Sequence, residues 1–413
     1  MRKFVALALV QSGLLAACGG GGGSGGATVT PPPPAIVCSG ANASLTEQLQ
    51  NPVTLFAADN NGVIIELPAI GAAGAASVPG SLVFGIGTQA NNGLGTATVL
   101  AEDPNTGFIA ATYKSTAYAD GYLDTGSNGN FFTDTFSACP SPNQVWYCPA
   151  STMAETATLT GTNAMTATAD FSVGNADTTF NANPMFTAFA DIGGPNADPS
   201  GFDLGLPFYF GHNVFTAIEN RSTPGGTGPY FAFSAPGPAI AAPGPPNVET
   251  LTVDGGPAAL ATHAVNTPFV SVKVCTPGTS TCQTIDHVEV DTGSIGLRLL
   301  SSVVTVTLPA EKDASGNPLA ECLQFADGTS WGSLAMADIT LPGSGKTAAN
   351  VNVHLIGDPT YPTPPSDCSG TTENTVMTFG ANGILGVGPF AQDCGSACVA
   401  AATPIPATYY SCH

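Results

Sequence analysis

The sequence predicts an all-β protein of two lobes, and three observations carry that expectation. Helix formers are scarce, with 8 Lys plus Arg against 50 Gly and 35 Pro in 413 residues, and Thr, Val and Ala are abundant. Such a composition favours short strands joined by turns. The tetrapeptide Asp-Thr-Gly-Ser occurs twice, at Asp124 to Ser127 and at Asp291 to Ser294, each time after a short apolar run. Between the copies, Pro236 to Pro246 is rich in Pro, Ala and Gly and reads as a linker, placed at residues 236–247.

The N-terminus reads as an export signal over residues 1–17. Arg2 and Lys3 precede an apolar run from Phe4 to Leu15. Leu15, Ala16 and Ala17 before Cys18 resemble a bacterial lipobox, which makes Cys18 the expected lipidation site; the plainer alternative is a signal peptide with a chance cysteine. Residues 18–37, with Gly19 to Gly26 and four consecutive prolines at Pro31 to Pro34, read as a tether. No later stretch approaches the roughly 20 uninterrupted apolar residues of a membrane span. The expected location is therefore the bacterial cell envelope, as an outer-membrane lipoprotein or a secreted protein, with one lipid as its membrane contact.

The first lobe is expected over residues 38–235, with strands at Gly62 to Leu67, Ser81 to Ile86, Thr96 to Leu100, Phe108 to Thr112 and Val214 to Ile218. The second is expected over residues 248–413, with strands at Val270 to Val274, His287 to Val290, Leu297 to Leu308, Ile339 to Leu341 and Val351 to Ile356. A formal net charge of -21 would repel nucleic acid and offers no polybasic patch to anionic lipid. It also suits an acidic medium, since few salt bridges are lost as carboxylates protonate.

Eleven cysteines leave ten once Cys18 is assigned to the anchor, an even number that argues for disulfides in an exported chain. Proximity pairs Cys139 with Cys148, Cys275 with Cys282, and Cys394 with Cys398; Cys322 with Cys368 and Cys38 with Cys412 complete the set by remainder. No Cys-x-x-Cys pair occurs, and no His stands at ligand spacing, so no metal is expected.

A single Asp-Thr-Gly-Ser could be an Asx-type turn leaving a strand. Two copies in matching settings suggest more. Two carboxylates brought face to face cannot both ionise cheaply, so Asp124 and Asp291 would share one proton over an acidic range. The ionised partner can activate a water while the protonated one donates to the carbonyl oxygen of the bond being split. Thr125 and Thr292 would brace the two turns, and Gly126 and Gly293 would let the backbone approach. Ser127 and Ser294 would bond the outer carboxylate oxygens.

With these motifs the chain resembles the pepsin-like aspartic proteases, a two-lobed all-β fold with one catalytic Asp from each lobe. After Asp291, Phe325 to Gly332 looks like that family's flap and Asn382 to Gly388 like its Gly-Ile-Leu-Gly segment. After Asp124, Phe202 to Tyr209 and Asn213 to Glu219 resemble the closing strands of its C-terminal lobe. The half resembling the family's N-terminal lobe thus comes last, as in a circular permutation. Strings such as Thr252 to Pro257, Val83 to Gln89 and Gly383 to Gly388 are also similar to an uncharacterised family of exported bacterial proteins, domain of unknown function 3443.

The resemblance implies an aspartic-type endopeptidase. It would be a monomer without a cofactor, acting on an extended peptide or unfolded protein, with Phe325 and Trp331 touching substrate. Two departures bear on it. Phe325 stands where the flap usually carries Tyr, and the Trp331 indole either replaces that hydroxyl or is a core aromatic. Arg298 either faces the pair and holds both acids ionised, or points to solvent. The competing expectation is a non-catalytic envelope surface protein whose cleft binds peptide or glycan. A serine triad is not indicated, for want of a Gly-x-Ser-x-Gly elbow. Gly85-Ile86-Gly87 has no basic residue nearby to meet phosphate.

Overall fold

A computed structural model of the protein describes residues 36–235, 246–325, 328–399 and 408–413. The expected signal peptide, Cys18 and nearly all of the tether, most of the linker, and Ala326 and Asp327 lie outside the described residues. The chain is predominantly β and two-lobed. Its four α-helices among the described residues are only 4 to 7 residues long.

The first lobe owns a seven-stranded sheet that includes Ile109–Tyr113, Thr116–Leu123, Asn130–Phe131, Gly201–Leu204 and the hairpin Met153–Thr160 with Thr166–Val173. A fifteen-stranded sheet carries the second lobe and continues into the first, where Val248–Val253 pairs antiparallel with Val78–Phe84. The linker therefore leads straight into a strand that joins the lobes.

Both lobes repeat one strand plan around their Asp-Thr-Gly-Ser. In the first, Gly201–Leu204 runs parallel to Thr116–Leu123 and antiparallel to Asn130–Phe131, setting Leu204 against Leu123. In the second, Gly383–Val387 runs parallel to Cys282–Asp291 and antiparallel to Ile295–Leu300, setting Leu385 against Val290. Strands alternate their faces, and Phe202 enters an aromatic core with Tyr113, Tyr118 and Phe132 at centroid distances of 5.4 to 5.7 Å.

Five disulfides form, in the pairing expected from the sequence: Cys38 with Cys412, Cys139 with Cys148, Cys275 with Cys282, Cys322 with Cys368, and Cys394 with Cys398. Three expectations need correction: the strand expected at Thr96 to Leu100 is confined to Leu100–Ala101, and two others differ more widely. The strand expected at Leu297 to Leu308 ends at Leu300, where a 3-10 turn over Ser301–Val303 begins; the Ser301 hydroxyl donates to the Gly357 carbonyl (2.7 Å) and turns the chain. The segment from Cys38 to Asn51, expected in the first lobe, is bonded to the second. Cys38–Gly40 pairs with Tyr409–Cys412, Gln48 Nε2 donates to the Gly395 carbonyl (2.9 Å), and Asn51 Nδ2 donates to that of Gly388 (2.8 Å).

Candidate active site

Asp124 follows the strand Thr116–Leu123, and Asp291 ends the strand Cys282–Asp291. Each chain turns sharply after its Asp because that carboxylate accepts the N–H two residues on: Gly126 N–H donates to Asp124 Oδ1 (2.8 Å) and Gly293 N–H to Asp291 Oδ1 (2.7 Å).

The threonines then lock the two turns together across the lobes. Thr125 N–H donates to Thr292 Oγ1 and Thr292 N–H to Thr125 Oγ1, each at 3.0 Å. The Thr125 hydroxyl gives its own proton to the Val290 carbonyl (2.6 Å), and Thr292 gives its to the Leu123 carbonyl (3.3 Å). Each hydroxyl both donates and accepts, so these buried polar groups are satisfied only when the two lobes are in place. The Tyr209 hydroxyl lies 3.1 Å from Thr292 Oγ1.

Close approach explains the glycines. A Cβ on Gly126 would stand 2.8 Å from Asp291 Oδ1 and 3.2 Å from Asp124 Oδ1, and one on Gly293 would stand 2.6 Å from Asp124 Oδ1. Any side chain there would push the carboxyls aside. Both aspartates are buried. Burial, and then the Asp291 charge, push the Asp124 carboxyl well above the usual carboxylate range.

The serines differ. Ser127 Oγ donates to Asp124 Oδ2 (3.0 Å), as expected. Ser294 Oγ has no such bond to Asp291; its main-chain carbonyl instead accepts from Gly388 N–H (2.9 Å). Phe325 stands at the turn of the hairpin formed by Leu319–Gln324 and Thr329–Leu341, with its ring edge-on to Phe379 at 5.9 Å. The substrate-touching expectation for Trp331 is corrected: it is 2 % exposed, packs on Tyr410 and spends its indole N–H on the Tyr361 carbonyl (2.9 Å).

Arg298 faces neither the carboxyl pair nor solvent. Fully buried, it donates from Nη2 to Glu321 Oε1 (2.7 Å) and Asp393 Oδ2 (3.2 Å), while His354 Nδ1 lies 2.9 Å from Glu321 Oε2. Tyr409 completes the cluster by donating to Asp393 Oδ1 (2.6 Å). Burial opposes ionisation of Glu321, yet Arg298 and then His354 hold its carboxyl far below the usual range.

The buried acids set the pH dependence of stability. Burial pushes Glu102, Asp124, Asp203 and Asp393 upward. An acid whose folded value lies above its unfolded one binds more protons when folded, so its contribution is present in full below the unfolded value and is lost as pH rises through the folded one. Glu321 has the opposite sign and loses its contribution only in stronger acid. Melting followed by circular dichroism should therefore give a midpoint several degrees higher at pH 4.5 than at pH 7.5. The reverse order would contradict this balance.

A predominantly β, two-lobed protein with two buried Asp-Thr-Gly-Ser turns locked across its lobes is the class that fold and site define. The chain matches the family described as protein of unknown function (DUF3443) over residues 33–233 and 243–413, and belongs to it. A search of curated proteins found no match.

Proposed function

We propose that this protein is an aspartic-type endopeptidase in which Asp124 and Asp291 share one proton and activate a water for peptide-bond hydrolysis. The observation that supports the reading is the reciprocal Thr125 and Thr292 bonding, which ties the two buried Asp-bearing turns to one another across the lobes. Asp124, pushed upward by burial and by its neighbour, is the proton holder and gives its hydrogen bond to the substrate carbonyl oxygen. The Asp291 carboxylate takes the proton of the attacking water. The proton then passes to the leaving amine, and the pair returns to its singly protonated state.

The same reading extends to architecture. A flap-like hairpin in the second lobe, one strand plan repeated in both lobes, and the Cys38 to Cys412 bridge all support a circularly permuted pepsin-like fold. The chain would be exported, held in the bacterial envelope by a lipid on Cys18, and would act as a monomer on extended or unfolded polypeptide. Cleavage of an unfolded protein across roughly pH 3 to 6, with Asp291→Asn as control, tests the proposal. Activity in the acid range that the control lacks supports it; equal behaviour of the two proteins would leave a non-catalytic binding cleft.

A further inference from the structure

The short helix Leu206–Tyr209 bridges the two turns at a place where the lobes differ. It starts on the Asp124 turn: Leu206 N–H donates to the Ser127 carbonyl (2.7 Å), and Gly205 just before it is pressed so close that a Cβ there would stand 2.4 Å from the same oxygen. It ends at the Asp291 turn, where the Tyr209 hydroxyl lies 3.1 Å from Thr292 Oγ1. Tyr209 is 0 % exposed, and burial pushes its phenol upward, so the hydroxyl keeps its proton.

A threonine hydroxyl has one proton to give and two lone pairs to fill. That of Thr292 gives its proton to the Leu123 carbonyl (3.3 Å) and accepts Thr125 N–H (3.0 Å), which leaves its second lone pair for the Tyr209 proton. The Thr125 hydroxyl accepts Thr292 N–H (3.0 Å) and gives its proton to the Val290 carbonyl at 2.6 Å, a shorter bond. Tyr209 thus reinforces the longer of the two ties. Register pairs Leu204 with Leu123 and Leu385 with Val290; five residues on from each paired leucine stand Tyr209 in the first lobe and Phe390 in the second. Phe390 is also buried but carries no hydroxyl, so the two sides are unequal at this place.

The geometry points to Tyr209 as a positioning residue whose hydroxyl fixes the Thr292 side chain and, through it, the setting of the Asp291 turn against the Asp124 turn. Thr292 follows Asp291 directly, and its hydroxyl receives Thr125 N–H across the lobes. A Thr292 side chain free to rotate would release that N–H and loosen the two turns. Misplacing reacting groups slows the chemical step rather than the binding of substrate. Tyr209 acts through Thr292 and needs no contact with substrate. Its functional meaning rests on the endopeptidase reading, whereas the brace between the turns can be measured without any cleavage.

The test compares the full chain with Tyr209→Phe, which keeps the ring and removes only the hydroxyl, by amide hydrogen exchange and by steady-state cleavage of an unfolded protein. Protection of the Thr125 amide should fall about tenfold more than that of amides in the remote hairpin Met153–Thr160, which report any general loss of stability. In cleavage, kcat should fall about tenfold while KM stays within about twofold. If the variant does not fold, the wild type decides: the Tyr209 hydroxyl proton should give a slowly exchanging NMR resonance with a cross-peak to the Thr292 methyl group, and its absence overturns the inference. A loss of protection shared evenly by all amides, no loss at all, or an unchanged kcat beside an active wild type also overturns it. A loss confined to Thr125 in a protein whose wild type cleaves nothing would remove the endopeptidase reading and leave Tyr209 as the brace of the two turns.

Discussion

Replacing Asp291 by Asn should lower kcat for cleavage of an unfolded protein by about 10³-fold or more, with little change in KM. The amide nearly matches the carboxylate in shape and can still accept from Gly293 N–H, so the turn and the cross-lobe threonine bonds should survive. What is lost is the base, because an amide cannot take a proton from water at any working pH. Asp124→Asn should cost a similar factor for the complementary reason, since the carbonyl oxygen of the substrate loses its acid. Removing either role stops the same step, so the double variant should be scarcely worse than either single one. Steady-state kinetics on all three, with circular dichroism to verify folding, checks this; a double variant slower by the product of the two factors would mean that the carboxyls act independently.

The second large effect is on stability. Arg298→Met should destabilise the protein by about 3–5 kcal/mol, because it leaves the buried Glu321 and Asp393 without the guanidinium that offsets them, with only His354 and Tyr409 beside them. Glu321 loses its 2.7 Å partner inside a fully buried site, and Asp393 loses its 3.2 Å guanidinium contact. Combining Arg298→Met with Glu321→Gln should restore part of the loss, because the orphaned charge is removed as well. Urea unfolding followed through Trp146 and Trp331 fluorescence would measure both. A cost below 1 kcal/mol for the single variant would mean that water reaches the cluster.

What could be read from the sequence followed from how locally each feature is encoded. The two buried turns were legible because each Asp lies in a contiguous tetrapeptide together with the glycine whose N–H its carboxylate accepts. The disulfides were legible because three pairs are close in sequence and the rest followed by remainder. Asp203 fell within the segment Phe202 to Tyr209 read for its resemblance, but its burial opposite Tyr122 follows from strand register, which no local pattern encodes. Arg298 failed for the same reason, its partners being 23 and 95 residues away.

The hairpin Met153–Thr160 with Thr166–Val173 escaped notice because it alternates Ala with Thr, a contrast too weak to mark a buried face, although Ala157, Leu159, Ala169 and Phe171 do line the core. The segment from Cys38 to Asn51 joins the second lobe through side-chain amides and an edge strand, neither of which leaves an apolar period to read.

Hydrolysis in 18O-labelled water, with new chain ends read by mass spectrometry, bears most directly on the claim that this site splits peptide bonds. Wild-type protein at about pH 4 should produce new carboxyl termini carrying one labelled oxygen from the activated water, and Asp291→Asn should produce almost none. Labelled ends in equal amount from both proteins, or no new ends from the wild type, would contradict it.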